Sequence, residues 1–177
     1  MRVWTIQPLL VWEHLQDTGE LHVDPAYYPD GFVPRQYPWL ANRMQERIPG
    51  HRGGLPWWAY CDKPDLRWWR HQWPASQPQV RIEFEVKEVL AFPFWAWDIV
   101  YSGGFLSFTE QEHDAWETAM RQAMPDEDRW PLPQPWRSEV EASWLRLFDP
   151  GLPSASWGYF GYKGNSDNEA VFETLRL

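Results

Sequence analysis

A single cysteine, Cys61, serves the whole 177-residue chain, so neither an internal disulfide nor a cysteine-based metal cluster can form. Cations are also scarce. Against 25 Asp and Glu stand only 16 Lys and Arg, giving a formal charge of −9 and a pI near 5.0. Phosphate backbones are gripped by clustered lysine and arginine, so no extended nucleic-acid surface is expected, although a small basic pocket stays open as an option. The sequence holds no nucleotide-loop glycine fingerprint, no histidine pair at metal-ligand separation and no Gly-x-Ser-x-Gly elbow. No metal is expected. A cleavable leader is not read either, because the apolar run Leu9–Trp12 is short and Glu13 follows it at once. The cytoplasm is the expected compartment.

Long hydrophobic runs are missing but for one imitation. Val89 to Thr109 carries a single charge, Asp98, yet Pro93, Asp98 and Gly103-Gly104 divide it into pieces of strand length, and a mid-bilayer charge is costly. It reads as buried sheet, with no membrane association.

What the chain has in excess is tryptophan: 15 of them, within an aromatic content of 18%. Rings of that size dominate burial energetics, so roughly four in five should be core, leaving about three to line a site. The length suits one globular domain spanning residues 1–177. Its opening sets the pattern. Arg2 to Ile6 has strand composition, Gln7-Pro8 ends it, and Leu9, Trp12 and Leu15 fall at helical spacing. Thr18-Gly19 stops that helix, and Leu21-His22-Val23 resumes in extended form.

Beyond it, Asp24 to Pro38 reads as an ordered loop pinned by Tyr27, Tyr28, Phe32 and Tyr37. A second helix is predicted over Pro38–Ile48 with Leu40, Met44 and Ile48 in one line. His51-Arg52-Gly53-Gly54 reads as an exposed turn, with approach to a phosphate as the sharper alternative. Trp57–Cys61 should be extended and buried. Lys63 to Trp73 mixes Asp65, Arg67, Arg70 and His71 with Trp68, Trp69 and Trp73, a combination that fits either an anionic or planar ligand or plain cation-on-ring packing. Val80–Lys87 alternates strictly and is the clearest strand; its Glu83-x-Glu85 reads as a solvated strand face. Capping boxes at Thr109-x-x-Glu112 and Ser138-x-x-Glu141 announce two helices. The first should bury Ala115, Trp116, Ala119, Met120 and Ala123. His113 on it reads as solvated. Ala155–Tyr162, a turn at Lys163–Asp167 and Glu169–Leu175 read as a closing hairpin. Together these elements predict an α+β fold with a mixed or antiparallel sheet, a split in it allowed, and about four helices packed around it.

Trp4-Thr5-x-Gln7 with Trp12, Leu15 and Gly19 resembles the opening of a bacterial family known as domain of unknown function 3841. Pro56-Trp57-Trp58-Ala59-Tyr60, Lys63-Pro64-Asp65-Leu66-Arg67, Trp144–Asp149 and Ala170–Leu175 fit the same family in order and spacing. The layout of elements is in turn similar to ADP-ribosyltransferase-type folds. That resemblance implies NAD as a substrate: Thr5 and Gln7 near the ribose, Trp58 or Tyr60 stacked on the nicotinamide, and Glu169 as the catalytic carboxylate beside the ribosyl cation. Arg67 joins the candidate binding residues through the cation-rich stretch. The resemblance is loose at two points, since many such transferases carry His or Arg where Thr5 stands, and Gln is common where Glu169 stands.

Two other readings compete. A non-enzymatic module would bind a small-molecule or nucleotide ligand on a platform of Trp68, Trp69 and Trp73. A defence or regulatory protein would act through an aromatic patch on a protein partner whose identity the sequence does not give. Cys61 as a nucleophile would need His51 or His71 as its base.

Overall fold

A computed structural model of the chain describes residues 1–27, 33–69, 74, 76–124, 132–154 and 168–177, with Trp68 and Trp69 as backbone only. The expected strand at Ala155–Tyr162, its turn, Tyr28, Phe32, Arg70, His71 and Trp73 lie outside the described residues. The fold is α+β. Two compact units divide it, Met1–Ala91 with Asn168–Leu177, and Phe92–Asp167.

In the first unit, β1 (Arg2–Pro8) runs directly into α1 (Leu9–Thr18), which ends where Gly19 takes φ 78° and donates its amide to the Leu15 carbonyl. Only glycine adopts that conformation without strain. Next come β2 (Glu20–His22), a 3-10 turn (Pro25–Tyr27), α2 (Gln36–Arg47), β3 (Trp57–Tyr60), the one-turn α3 (Leu66–Trp69), β4 (Gln79–Glu85) and the first residues of β5 (Leu90–Pro93), whose last two belong to the second unit. The chain's last strands are β6 (Asn168–Phe172) and β7 (Thr174–Arg176). Helix α2 starts two residues before the predicted Pro38, because a proline in the first turn gives up an amide that has no helical partner anyway.

Five strands form one sheet in the order β4-β1-β3-β6-β5, and β2 pairs with β7 in a second, two-stranded sheet. The pairings of β1 with β4 and β3, of β3 with β6 and of β2 with β7 are antiparallel. Both faces of the larger sheet carry buried residues, Ile6 and Val171 on one and a larger cluster on the other. Val3, Ala59, Ile82, Ala170 and Phe172 cluster there with Leu15 of α1 and Leu175 of β7, and Trp12, Trp57 and Phe84 pack against them.

In the second unit the structure corrects the sheet expected over Val89–Thr109. Only Leu90–Pro93 is strand; Phe94–Ser102 forms α4, closed by Gly103 at φ 78°. An apolar run this short reads alike as strand or helix, and here Trp95, Ala96, Trp97, Ile99 and Val100 are buried on all sides. The Thr109 half of the first capping box forms, its hydroxyl accepting from the Glu112 amide at 3.1 Å at the start of α5 (Glu110–Ala123), while the Glu112 carboxylate accepts from the Phe108 amide at 2.9 Å. The box at Ser138 does not form. Helix α6 (Trp136–Ser143) starts two residues earlier, and the Ser138 hydroxyl instead donates to Gln134 at 2.7 Å. A 3-10 turn, Trp144–Phe148, follows.

No residue of α5 is fully buried, so the predicted apolar face is not core. Trp116 is half-buried and stacks on Phe105, with ring centres 4.7 Å apart. The loop carrying Phe105 is wired by three residues from α6 and the 3-10 turn. Trp144 donates to the Gly104 carbonyl at 2.9 Å, Ser143 accepts from the Leu106 amide at 2.9 Å, and Arg146 donates to the Leu106 carbonyl at 2.9 Å. Arg146 also pairs with Glu112 at 2.7 Å and lies over the rings of Phe105 and Phe108. Among the described residues no helix is long and apolar enough to cross a membrane.

Candidate ligand-binding face

Directly opposed residues on antiparallel strands share a face, and successive residues alternate between faces. Tyr60 stands opposite Glu169, Trp4 opposite Tyr60, and Glu83 opposite Trp4. A single row therefore crosses four strands: Glu83, Trp4, Tyr60, Glu169. At about 4.8 Å per strand it is roughly 14 Å long. Trp58, two residues before Tyr60 on the same strand, lies on that face as well, and the ring of Tyr37 from α2 sits 5.9 Å from its own. Trp4, Trp58, Tyr60 and Glu169 are all half-buried.

Thr5 and Gln7 are on the other side of the sheet. Thr5 stands opposite Ile82 and Gln7 opposite Val80, both on the core face, and Gln7 donates to the Thr5 hydroxyl at 2.8 Å. Thr5 is only 2% exposed. So Glu169 comes together with Tyr60 and Trp58, while the first-strand pair expected to hold a ribose beside it does not. The parity of β1 decides this: Trp4 shares a face with Tyr60, and both expected residues are an odd number of positions from Trp4.

The electrostatics of the row follow from burial and from Glu169. Burial pushes the Tyr60 hydroxyl up to about 12, and the facing Glu169 carboxylate adds to the rise. Burial likewise pushes the Cys61 thiol up to about 11, with Asp62 and Glu169 contributing. A thiol so reluctant to ionise is a poor nucleophile at neutral pH. His51, one of its two expected bases, uses Nδ1 to accept the Gly53 amide at 2.9 Å.

Arg67 pairs with its near neighbour Asp65. Its guanidinium is 86% exposed and forks onto Asp65, and this hydrogen bonding holds the Asp65 carboxyl down near 2. This ion pair is the only part of either reading of the stretch that falls on described side chains. The tryptophans expected to form a platform there, Trp68, Trp69 and Trp73, have no described side chains. His113 differs from its expected solvated state: 13% of its side chain is accessible, with Glu117 4.0 Å away. Among the described residues no group of three or more His, Cys, Asp or Glu could hold a metal ion.

One polar arrangement escaped the sequence. The turn at His51–Gly54 is no bare loop: the amides of Arg52 and Gly54 both donate to the carboxylate of Glu173, at 2.9 to 3.0 Å. A Cβ on Gly54 would stand 3.0 Å from a Glu173 oxygen, so a larger residue there would push the carboxylate back, and Gly53 supplies a φ of 88° for the turn. Burial alone would raise the pKa of Glu173, but the amides of Gly54 and Arg52 and the nearby His51 and His22 lower it. The turn binds an anion, and the anion belongs to the chain. Glu173 lies 121 residues from Arg52, beyond the range of any local motif. The glycine pair beside Arg52 was the only signal.

A family model described as Domain of unknown function (DUF3841) matches residues 2–157. No curated protein and no solved structure matches the chain.

Proposed function

The chain belongs to that family, whose description carries no activity, and we propose that its Trp58–Tyr60–Glu169 face binds a planar, positively charged ring, with NAD the first ligand to test. The observation that carries this is the direct opposition of Tyr60 and Glu169. A cation over an aromatic face is attracted by the ring quadrupole, and a half-buried carboxylate beside it adds an attraction that bulk water would have weakened. The oxidised nicotinamide of NAD is a ring of that kind.

If the bound dinucleotide reacts, Glu169 is the carboxylate placed to stabilise the positive charge that grows on the ribose as nicotinamide departs. That is the ADP-ribosyltransferase-like version, with an acceptor still to be found. Thr5 and Gln7 take no part in it. A second version, a binding module without turnover, is favoured by that same separation, since rings and an acid suffice to hold a ligand but leave the ribose without its expected partners. Fold-level likeness does not choose between the two.

Calorimetric titration of NAD, followed by chromatography for released nicotinamide, separates them. Saturable binding with nicotinamide release that stops in Glu169→Gln supports a transferase. Binding without release supports the module. Absence of binding to NAD and to 1-methylnicotinamide excludes both.

A further inference from the structure

We propose that Trp4 is a further ring of this ligand face and that Glu83 is the residue positioning it, an inference that rests on the Trp58–Tyr60–Glu169 face being a binding site. Trp4 occupies the row position between Glu83 and Tyr60 and is half-buried. Its indole Nε1 donates to Glu83 Oε2 at 2.9 Å. The other carboxylate oxygen, Oε1, faces Arg2 Nη1 at 3.5 Å, and Arg2 is flanked on its far side by Glu85 at 3.8 Å. Each oxygen of Glu83 thus has its own partner, and the bond to Oε2 sets the direction of the indole N–H.

Stability does not account for this arrangement. Arg2 and Glu83 keep 59% and 47% of their side chains accessible, and exposed pairs of that kind contribute little because water and salt screen them. What the contact does restrict is the rotation of a large ring standing beside Tyr60. A ring held in one orientation loses less freedom when a planar ligand settles against it, and that preorganisation is expressed as affinity. The glutamate on the supposedly bland, solvated face of β4 therefore has a role in recognition, one step removed from the ligand. It is a positioning residue. Trp4 is the group that would touch the ligand's flat surface, and the ligand class is the same planar cation that Glu169 attracts at the other end of the pair.

The test compares wild type with Glu83→Leu, Glu83→Gln and Trp4→Leu in the full chain, using 1-methylnicotinamide as the probe in calorimetry and the indole N–H resonance of Trp4 as the structural readout. Glutamine keeps an oxygen that can accept from Nε1; leucine does not. The expected result is binding roughly fivefold to tenfold weaker in Glu83→Leu and in Trp4→Leu, in line with the worth of one cation–ring contact. Glu83→Gln should bind within about twofold of wild type, and the Trp4 indole resonance should move in Glu83→Leu but hold in Glu83→Gln. Wild-type binding that Glu83→Leu and Trp4→Leu leave unchanged overturns the role of Trp4 and Glu83 while the Trp58–Tyr60–Glu169 site survives. An equal loss in Glu83→Gln and Glu83→Leu overturns the positioning role. Failure of the wild type to bind the probe overturns both the site and this extension of it.

Discussion

Glu169 and Glu173 stand four positions apart on one segment and are put to opposite uses. Around Glu173 the chain has arranged donors: amides of Arg52 and Gly54, with His51 and His22 near, so the charged form is favoured. Around Glu169 it has placed acids, Tyr60 and Cys61, whose ionisation the carboxylate opposes. A carboxylate whose neighbours are backbone donors ties two segments together. One set among ionisable and aromatic side chains shifts their titration instead. The contrast makes Glu173 the fastening and is why the proposed ligand face is drawn at Glu169.

The largest effect that could break this contrast is on stability. Glu173→Ala removes the acceptor of two backbone amides and should cost about 2 kcal/mol in chemical denaturation, the usual worth of hydrogen bonds to a charged group. Glu169→Gln should cost less than about 1 kcal/mol. Gly54→Ala, which crowds the same carboxylate, should add little to Glu173→Ala in a double-mutant cycle, because both open one contact. The pH dependence has a definite sign. The folded pKa of Glu173 is depressed, so its contribution is complete above the unfolded value of about 4.3 and is lost as pH falls through the folded value. Glu173→Gln should flatten acid unfolding in that window.

A middling effect belongs to Tyr60. Its folded pKa, about 12, exceeds the ordinary value near 10, so the unfolded chain gives up that proton first. Stability should be unaffected below about pH 10 and should decline as pH rises toward 12. Glu169→Gln should ease that decline without abolishing it, burial being the larger cause; a ring-carbon NMR titration of Tyr60 in both proteins measures the difference. The smallest effect is at Cys61. Iodoacetamide should alkylate it slowly at pH 8 in the folded protein, and only slightly faster in Glu169→Gln, since burial and Asp62 remain.

How far the sequence spoke depended on the range of the cause. Local chemistry was legible. Gly19 ends α1, Thr109 caps α5, and the alternation of Val80, Ile82 and Phe84 with Arg81, Glu83 and Glu85 marks the two faces of β4. Where no period distinguishes strand from helix, as in the uniformly apolar Phe94–Ser102, the reading went to sheet and the chain folded as α4. Ser138 satisfied a motif but lay within a helix already begun at Trp136.

The site was half legible. That Glu169 and an aromatic strand belong together was what the likeness of layout implied, but which residues share a face depends on register, and register is set by pairing across more than a hundred positions. Parity then separated Thr5 and Gln7 from Glu169. The same long-range placement hid Glu173, which a local reading leaves as one more strand residue.

The central claim is that recognition uses one face of the sheet and not the other. Calorimetric titration of NAD into wild type, Glu169→Gln and Gln7→Leu tests it most directly. Binding that is weakened in Glu169→Gln and unchanged in Gln7→Leu is the predicted result. Binding lost in Gln7→Leu while Glu169→Gln retains it would contradict the assignment and move the site to the core face.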